Sequence, residues 1–187
     1  MSNIFITSDQ HFGHANILTF TRKDGSLCRE FDSVEQMDET IVDRHNAIVK
    51  PSDKVYILGD IAMKRKFIAT AGRLNGHKRL VRGNHDIFKT KYYLPYFEEI
   101  YAYRKLENLF LSHIPIHTES LRYDWINVHG HTHNNTEPLH FGPRYINVST
   151  EVTNYTPLSI EEVRQIVRDR FTDDQLQELR NQYKGRE

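Results

Sequence analysis

Short apolar runs rich in Ile, Val, Phe and Tyr recur along the chain. IFIT begins at Ile4, KVYIL at Lys54, KRLVR at Lys78, NLFLS at Asn108, WINVH at Trp125 and RYINVS at Arg144. Runs of this length and composition, bounded by turn residues, predict β-strands. Between the first two the period changes. Val34, Met37, Ile41, His45 and Ile48 fall at helical spacing behind Ser33, an N-cap with Gln36 at the capping-box position. KRKFIATAGRLNG predicts a second helix, stopped by Asn75–Gly76. Late in the chain Ser159 and Glu162 form another capping box, ahead of an apolar face made by Ile160, Val163, Ile166 and Val167. A mostly charged final helix is expected after Thr172.

Strand–helix–strand alternation in the first half predicts βαβ units. The strands of the second half lie closer together, as β-hairpins would place them. The sum is an α/β fold, a sandwich of sheets flanked by helices. A length of 187 residues, with no repeat and no Pro/Gly-rich linker, predicts one domain over residues 1–187.

Composition narrows the function. The 25 basic and 25 acidic residues balance, which argues against a surface that coats nucleic acid non-specifically. Cys28 is the only cysteine, so no internal disulfide and no thiolate metal site is expected. The first apolar run is too short for a signal peptide and no later one approaches a membrane span, so a cytoplasmic protein without membrane contact is expected. Histidine stands out. Of 11, five (His113, His117, His129, His131 and His133) fall within 21 residues.

The endings of the apolar runs carry the chemistry. IFITSDQH ends in Asp9 and His11, VYILGD in Asp60, LVRGNHD in Asn84, His85 and Asp86, LFLSH in His113, and INVHGHTH in His131 and His133. Each run delivers oxygen or nitrogen ligand types at its carboxyl end, where open α/β sheets bind ligands. Asp9 and His11, like His131 and His133, are two residues apart, which in extended chain puts both side chains on one side. Carboxylate with imidazole suits Mn, Fe, Zn, Co or Ni, whereas Mg and Ca prefer all-oxygen sites.

In this order the endings resemble the motif series of the calcineurin-like metallophosphoesterase superfamily: Asp-x-His, Gly-Asp, Gly-Asn-His-Asp/Glu, a lone His, and Gly-His-x-His. They stand here as Asp9–Gln10–His11, Gly59–Asp60, Gly83–Asn84–His85–Asp86, His113, and Gly130–His131–Thr132–His133. The run SDQHFGHANI, with LNGHKRLVRGNHD and LSHIPI, looks like a subgroup of small bacterial and phage phosphoesterases. The resemblance implies a four-layer αββα sandwich of two mixed sheets and a site for two divalent transition metals. Mn is the first expectation, with Fe, Zn, Ni or Co as alternatives. Asp9, His11 and His133 would hold one ion, Asn84, His113 and His131 the other, and Asp60 would bridge them. A hydroxide between the ions would attack phosphorus, with His85 as general acid to the leaving oxygen. His14, Asn84 and His85 are the residues expected to meet the substrate. Two dications against two carboxylates leave a net positive site. A third carboxylate in place of Asn84 would weaken it.

One departure bears on substrate. Protein phosphatases of this superfamily extend Gly-Asp to Gly-Asp-x-x-Asp-Arg-Gly, whose second Asp orients the catalytic His. Here GDIAMKR puts Met63 at that position, and Asp86 stands where they carry Glu. A small phosphodiester or nucleotide is therefore expected as substrate. A phosphomonoesterase or protein phosphatase, and a nuclease, are the alternative activities, and a non-catalytic scaffold is disfavoured because no ligand is missing. Three further expectations concern residues outside these motifs or beside them. His45, on the apolar helical stripe, reads as a core histidine. Asn46 could reach the site. Phe12, Phe20 and Phe31 with Arg22 and Arg29 could wall it, or belong to the core edge.

Overall fold

The computed structural model describes residues 2–134 and 141–182. All six expected strands form: β1 (Ile4–Thr7), β2 (Lys54–Ile57), β3 (His77–Val81), β6 (Leu109–Leu111), β7 (Ile126–His129) and β8 (Tyr145–Asn147). Three more were not anticipated, β4 (Glu99–Tyr101), β5 (Arg104–Leu106) and β9 (Leu158–Ser159). Each has only two or three residues and lies at a sheet edge. None buries a side chain fully, so none carries an apolar signature.

The strands make two mixed sheets, β4-β3-β2-β1-β9 and β5-β6-β7-β8, flanked by helices as expected. β1 to β4 run parallel, with β9 antiparallel on β1. In the second sheet only β5–β6 is a hairpin, and β6, β7 and β8 are parallel. The expected run of hairpins is thus corrected. The links after β6 and β7 are long enough to cross back, and parallel pairing puts the ligand-bearing ends of β6 and β7 at one edge.

Alternation along the strands separates two cores. Phe5, Val55, Ile57 and Leu80 face one way, into a cluster with Met37 and Ile41. Ile6, Tyr56, Leu58 and Val81 face the other, meeting Leu109, Leu111, Ile126, Val128 and Ile146 of the second sheet. α1 (Val34–Ile48) covers the first cluster, capped by Ser33, whose side chain accepts from the Gln36 N–H. α2 (Ile160–Arg170) closes the second with Val163 and Val167, behind a complete Ser159–Glu162 capping box. α3 (Asp173–Asn181) follows its own cap at Thr172. The segment expected as a second α-helix is instead a 3₁₀ helix over Arg65–Arg73. Its buried residues, Ile68 and Ala71, and the buried Leu74 that caps its end recur every third position, which a helix of three residues per turn keeps on one face.

His45 is a core residue as expected. Its Nε2 bonds the Asn75 carbonyl at 3.0 Å. Asn46 does not reach the strand ends: it bonds Arg73 and Asn75. Burial holds the His45 imidazole down at about 4, against an ordinary value near 6.5. The unfolded chain therefore takes up a proton there that the native state refuses, and this stabilisation is complete above pH 6.5 and lost as pH falls towards 4. At about 1.4 kcal/mol per unit it amounts to at most about 3 kcal/mol. Urea midpoints of wild type and His45→Gln should therefore converge as pH drops from 7 to 4. Parallel curves would count against a neutral buried His45.

Candidate metal centre

The carboxyl ends of β1, β2, β3, β6 and β7 meet at one edge of the sandwich. Pairing continues past β1 and β2 through Asp9 N–H to Gly59 O, His11 N–H to Asp60 O and Phe12 N–H to Ile61 O, at 2.8–3.0 Å. Ser8 and Ser149 then bridge β1's extension to β8's, stitching the two sheets at this edge. Asp9, His11, Asp60, His131 and His133 all have positive φ, from 48° to 68°. Non-glycine residues visit this region rarely and at a cost, and such strain concentrates at functional sites. It turns each side chain off the strand direction toward a common centre.

Two glycines allow the close approach. A Cβ on Gly83 would lie 2.2 Å from Asp60 Oδ1, and one on Gly130 would lie 2.2 Å from Asp9 Oδ2. The glycines of the GNHD and GHTH runs are thus the space that the two carboxylates occupy.

The side chains gather in two groups. Asp9, His11 and His133 can bring ligand atoms within 4.8 Å of one another, and so can Asp60, His113 and His131. Asn84 joins the second group, with Oδ1 2.8 Å from His113 Nε2. Asp60 links the groups: its Oδ2 lies 3.6 Å from His11 Nε2 and 3.3 Å from His113 Nε2. The structure thus brings all seven of these side chains together at one edge, in two groups joined by Asp60. His14 sits beside them, its ring 5.6 Å from that of His11.

His11 tests whether a cation fits. Its ring is buried, yet neither nitrogen has a hydrogen-bond partner. Orphaned buried polar atoms are costly and point to an absent partner. Burial, then the Arg29 charge, pushes its imidazole well below the ordinary range, so it is a neutral electron-pair donor. Burial also raises Asp9, which His133 and His113 offset only in part. Burial would raise Asp60 too, but His113 and His11 beside it and the His85 N–H hold it at about 2. A neutral imidazole flanked by a carboxylate on each side, closed off from water, fits a divalent cation.

His85 lies at the mouth, its side chain 42% exposed and its Nε2 4.0 Å from Asp60 Oδ2. Its own N–H donates to Asp60 Oδ1 at 2.9 Å. Among the described residues its ring makes no hydrogen bond, and its carboxylate neighbour is Asp60, at that 4.0 Å. Asp86 does not touch it. One Asp86 oxygen accepts from Asp60 N–H and Gly83 N–H, the other from Ile61 N–H, at 2.8–3.1 Å. Asp86 ties the loop after β3 to the loop after β2.

Sequence reasoning missed a clasp behind the first group. Glu151 Oε1 bonds His133 Nδ1 at 2.9 Å, which leaves His133 Nε2 facing Asp9. Arg29 pairs with Glu151 at 2.5 Å and donates to the main-chain carbonyls of Asp9 and Gln10. Burial would raise Glu151, but Arg29 and His133 hold it at about 2. Arg29 is thus a buried anchor and not part of a substrate wall, and Phe12 and Phe31 likewise belong to the first core. Cys28 Sγ also lies near His133 and Glu151, but burial pushes the thiol up to about 11 and it donates to Asn134. Carboxylates that hold a metal-binding histidine are worth about 10–100-fold in metal affinity. Glu151→Gln should weaken binding of one ion equivalent by about that factor in a metal titration. An unchanged isotherm would make Glu151 a packing residue only.

The family description calcineurin-like phosphoesterase matches residues 2–184. The chain belongs to this family. Metal-dependent hydrolysis of phosphoric esters is the family's chemistry, usually with two divalent ions. The uncharacterized protein MJ1445 of Methanocaldococcus jannaschii is 34% identical over 176 residues, which cover 89% of this chain and 92% of that one. The gene 66 protein of Mycobacterium phage D29 is 29% identical over 90% of this chain and 98% of its own. A crystal structure of a protein of unknown function, AQ665 from Aquifex aeolicus, superposes with a TM-score of 0.69 at 28% identity. It covers 89% of this phosphoesterase chain and all of its own. No described helix of this phosphoesterase is long and apolar enough to cross a membrane.

Proposed function

We propose that this chain, as a single domain, hydrolyses small phosphodiesters or nucleotides at the junction of its two sheets. Asp9, His11 and His133 would hold one divalent ion and Asn84, His113 and His131 a second, with Asp60 shared by the two groups. The observation that carries this reading is the buried, unpartnered His11 ring between Asp9 and Asp60. Two divalent ions supply Lewis acidity toward the phosphoryl oxygens and lower the pKa of water from about 15.7 toward 7. Manganese is the first candidate, since the mixed oxygen and nitrogen set suits transition metals.

The protein groups divide the remaining work. Asp9 and Asp60 bring the only carboxylates of the two groups, so the loaded site keeps net positive charge for a phosphate. His11, His113, His131, His133 and Asn84 bind without adding negative charge. His85 stands off both groups at the open mouth and donates its proton to the departing oxygen. His14 and Asn84, beside it, contact the non-bridging phosphate oxygens. A diester fits better than a phosphoprotein. Met63 replaces the aspartate that orients the histidine in protein phosphatases, and a groove opens beside Asn84 and His113 for a second organic group.

The test is hydrolysis of bis-p-nitrophenyl phosphate against p-nitrophenyl phosphate, in protein loaded with Mn, Ni, Co or Zn. The diester should be the better substrate with at least one metal. No turnover of either ester with any of the four would overturn the reading.

A further inference from the structure

A groove of about 400 Å³ leads away from the second group of ligand residues. Asn84 and His113 form its inner end, and Tyr103, Phe110, Ile114 and Ile116 line its length. Its volume falls in the range of about 300–1,000 Å³ typical of small-molecule sites. Its walls are mostly apolar, with Ser112 and an Arg82 already engaged by the Asp86 and Phe88 carbonyls among them, so it suits an uncharged part of a substrate more than the phosphate.

Two of its lining rings, Tyr103 and Phe110, belong to a column that continues beyond the groove. Tyr103 stacks on Phe110, with centroids 4.9 Å apart and planes 13° from parallel. Phe110 stacks on Trp125 at 5.8 Å and 24°. Lys105 lies over the Trp125 ring, 4.2 Å from its centroid, and ends the column there. The other end is open. Tyr103 is 58% exposed, and among the described residues Phe110 is its only ring partner. A large aromatic ring exposed at the end of an ordered stack, beside a catalytic centre, offers a flat face to one more ring. Stacked aromatic side chains that end in an open face are a general platform for nucleobases, since every base has a π-face.

We infer that Tyr103 and its groove form a nucleobase subsite, so that the preferred diesters carry a nucleoside on the side of Asn84 and His113. This rests on the phosphodiesterase reading above. The phosphate sits at the two ion groups, the base extends the column on Tyr103, and the sugar spans the groove between them. Because Tyr103 lies in the link between β4 and β5 with its ring largely in solvent, its replacement leaves both cores intact.

Two esters with the same leaving group test it: thymidine 5′-p-nitrophenyl phosphate and methyl p-nitrophenyl phosphate. The ratio of their kcat/KM values isolates the nucleoside. Base–aromatic stacking of the usual strength makes Tyr103→Ala lower that ratio about tenfold, mainly through KM for the thymidine ester. Tyr103→Phe should restore it. An unchanged ratio overturns the subsite. Equal losses on both esters overturn it too, because the ring in the groove would then be the leaving group. Should wild type hydrolyse neither ester, the diesterase reading fails, and binding decides the subsite separately. Calorimetry on manganese-loaded protein should give thymidine 5′-monophosphate a gain over inorganic phosphate that Tyr103→Ala removes. No gain in wild type refutes the subsite whatever the reaction.

Discussion

Asp60→Asn should abolish both metal stoichiometry and turnover while leaving the protein folded. Among the described residues Asp60 is the only carboxylate within 4.0 Å of imidazoles of both groups, with Oδ2 3.6 Å from His11 and 3.3 Å from His113. Asn keeps the side-chain oxygen that accepts from the His85 N–H, so the loop after β3 retains its anchor. What it removes is one of two negative charges opposite two dications. An outer partner of a metal-binding histidine is worth about 10–100-fold in affinity, and a group touching both ion positions should exceed that. Metal analysis of the purified variant should find fewer than one ion per chain, against two in wild type, and activity on any aryl ester should fall by at least about a hundredfold. Full occupancy of both positions in the variant would refute the bridging role. A near-ultraviolet spectrum like that of wild type separates loss of metal from loss of fold.

His85→Asn should behave differently, keeping both ions and losing rate according to the leaving group. The side chain stands at the mouth, off both ligand groups, and the loop around it is held by main-chain bonds and by Asp86, which the substitution leaves alone. A positioned acid contributes about 10²–10⁴-fold when the leaving oxygen is strongly basic, and little when the departing anion is stable unprotonated. Alkyl esters should therefore slow by that factor and p-nitrophenyl esters only slightly. Equal losses on both would show that His85 does something other than donate a proton. Among the described residues no hydrogen bond to a carboxylate holds the His85 ring, whose contact with Asp60 is at 4.0 Å, so the substitution breaks no side-chain hydrogen bond.

Much of the candidate site was legible in the chain because its chemistry is local to strand ends. An apolar run followed at once by Asp, Asn or His marks both the element and the edge it reaches, and parallel strands carry every such ending to the same edge. The βαβ units around α1 were legible for a related reason: Ser33 and the stripe from Met37 to His45 are signals within one turn of each other. The segment over Arg65–Arg73 was misread because an apolar residue every third position differs little, over nine residues, from one at helical spacing. The edge strands β4, β5 and β9 could not be read because they bury too little to show alternation.

What the sequence by itself determined was the order of Asp, Asn and His residues at the strand ends, and through them the family. Tertiary structure alone decided which groups act together. Glu151 and Arg29 stand 18 and 20 residues from His133 and Asp9; the chain past β8 brings the carboxylate behind one imidazole, and the segment between β1 and α1 folds back to put the guanidinium on the Asp9 carbonyl. The role of Asp86 was decided in the same way. Adjacent to His85 in sequence, it turns away from it to collect main-chain N–H groups from two loops. The column of Tyr103, Phe110 and Trp125 is drawn from a loop, the middle of β6 and the approach to β7. No local pattern records such a column, because stacking depends on strand register across a sheet and on nothing within any one strand.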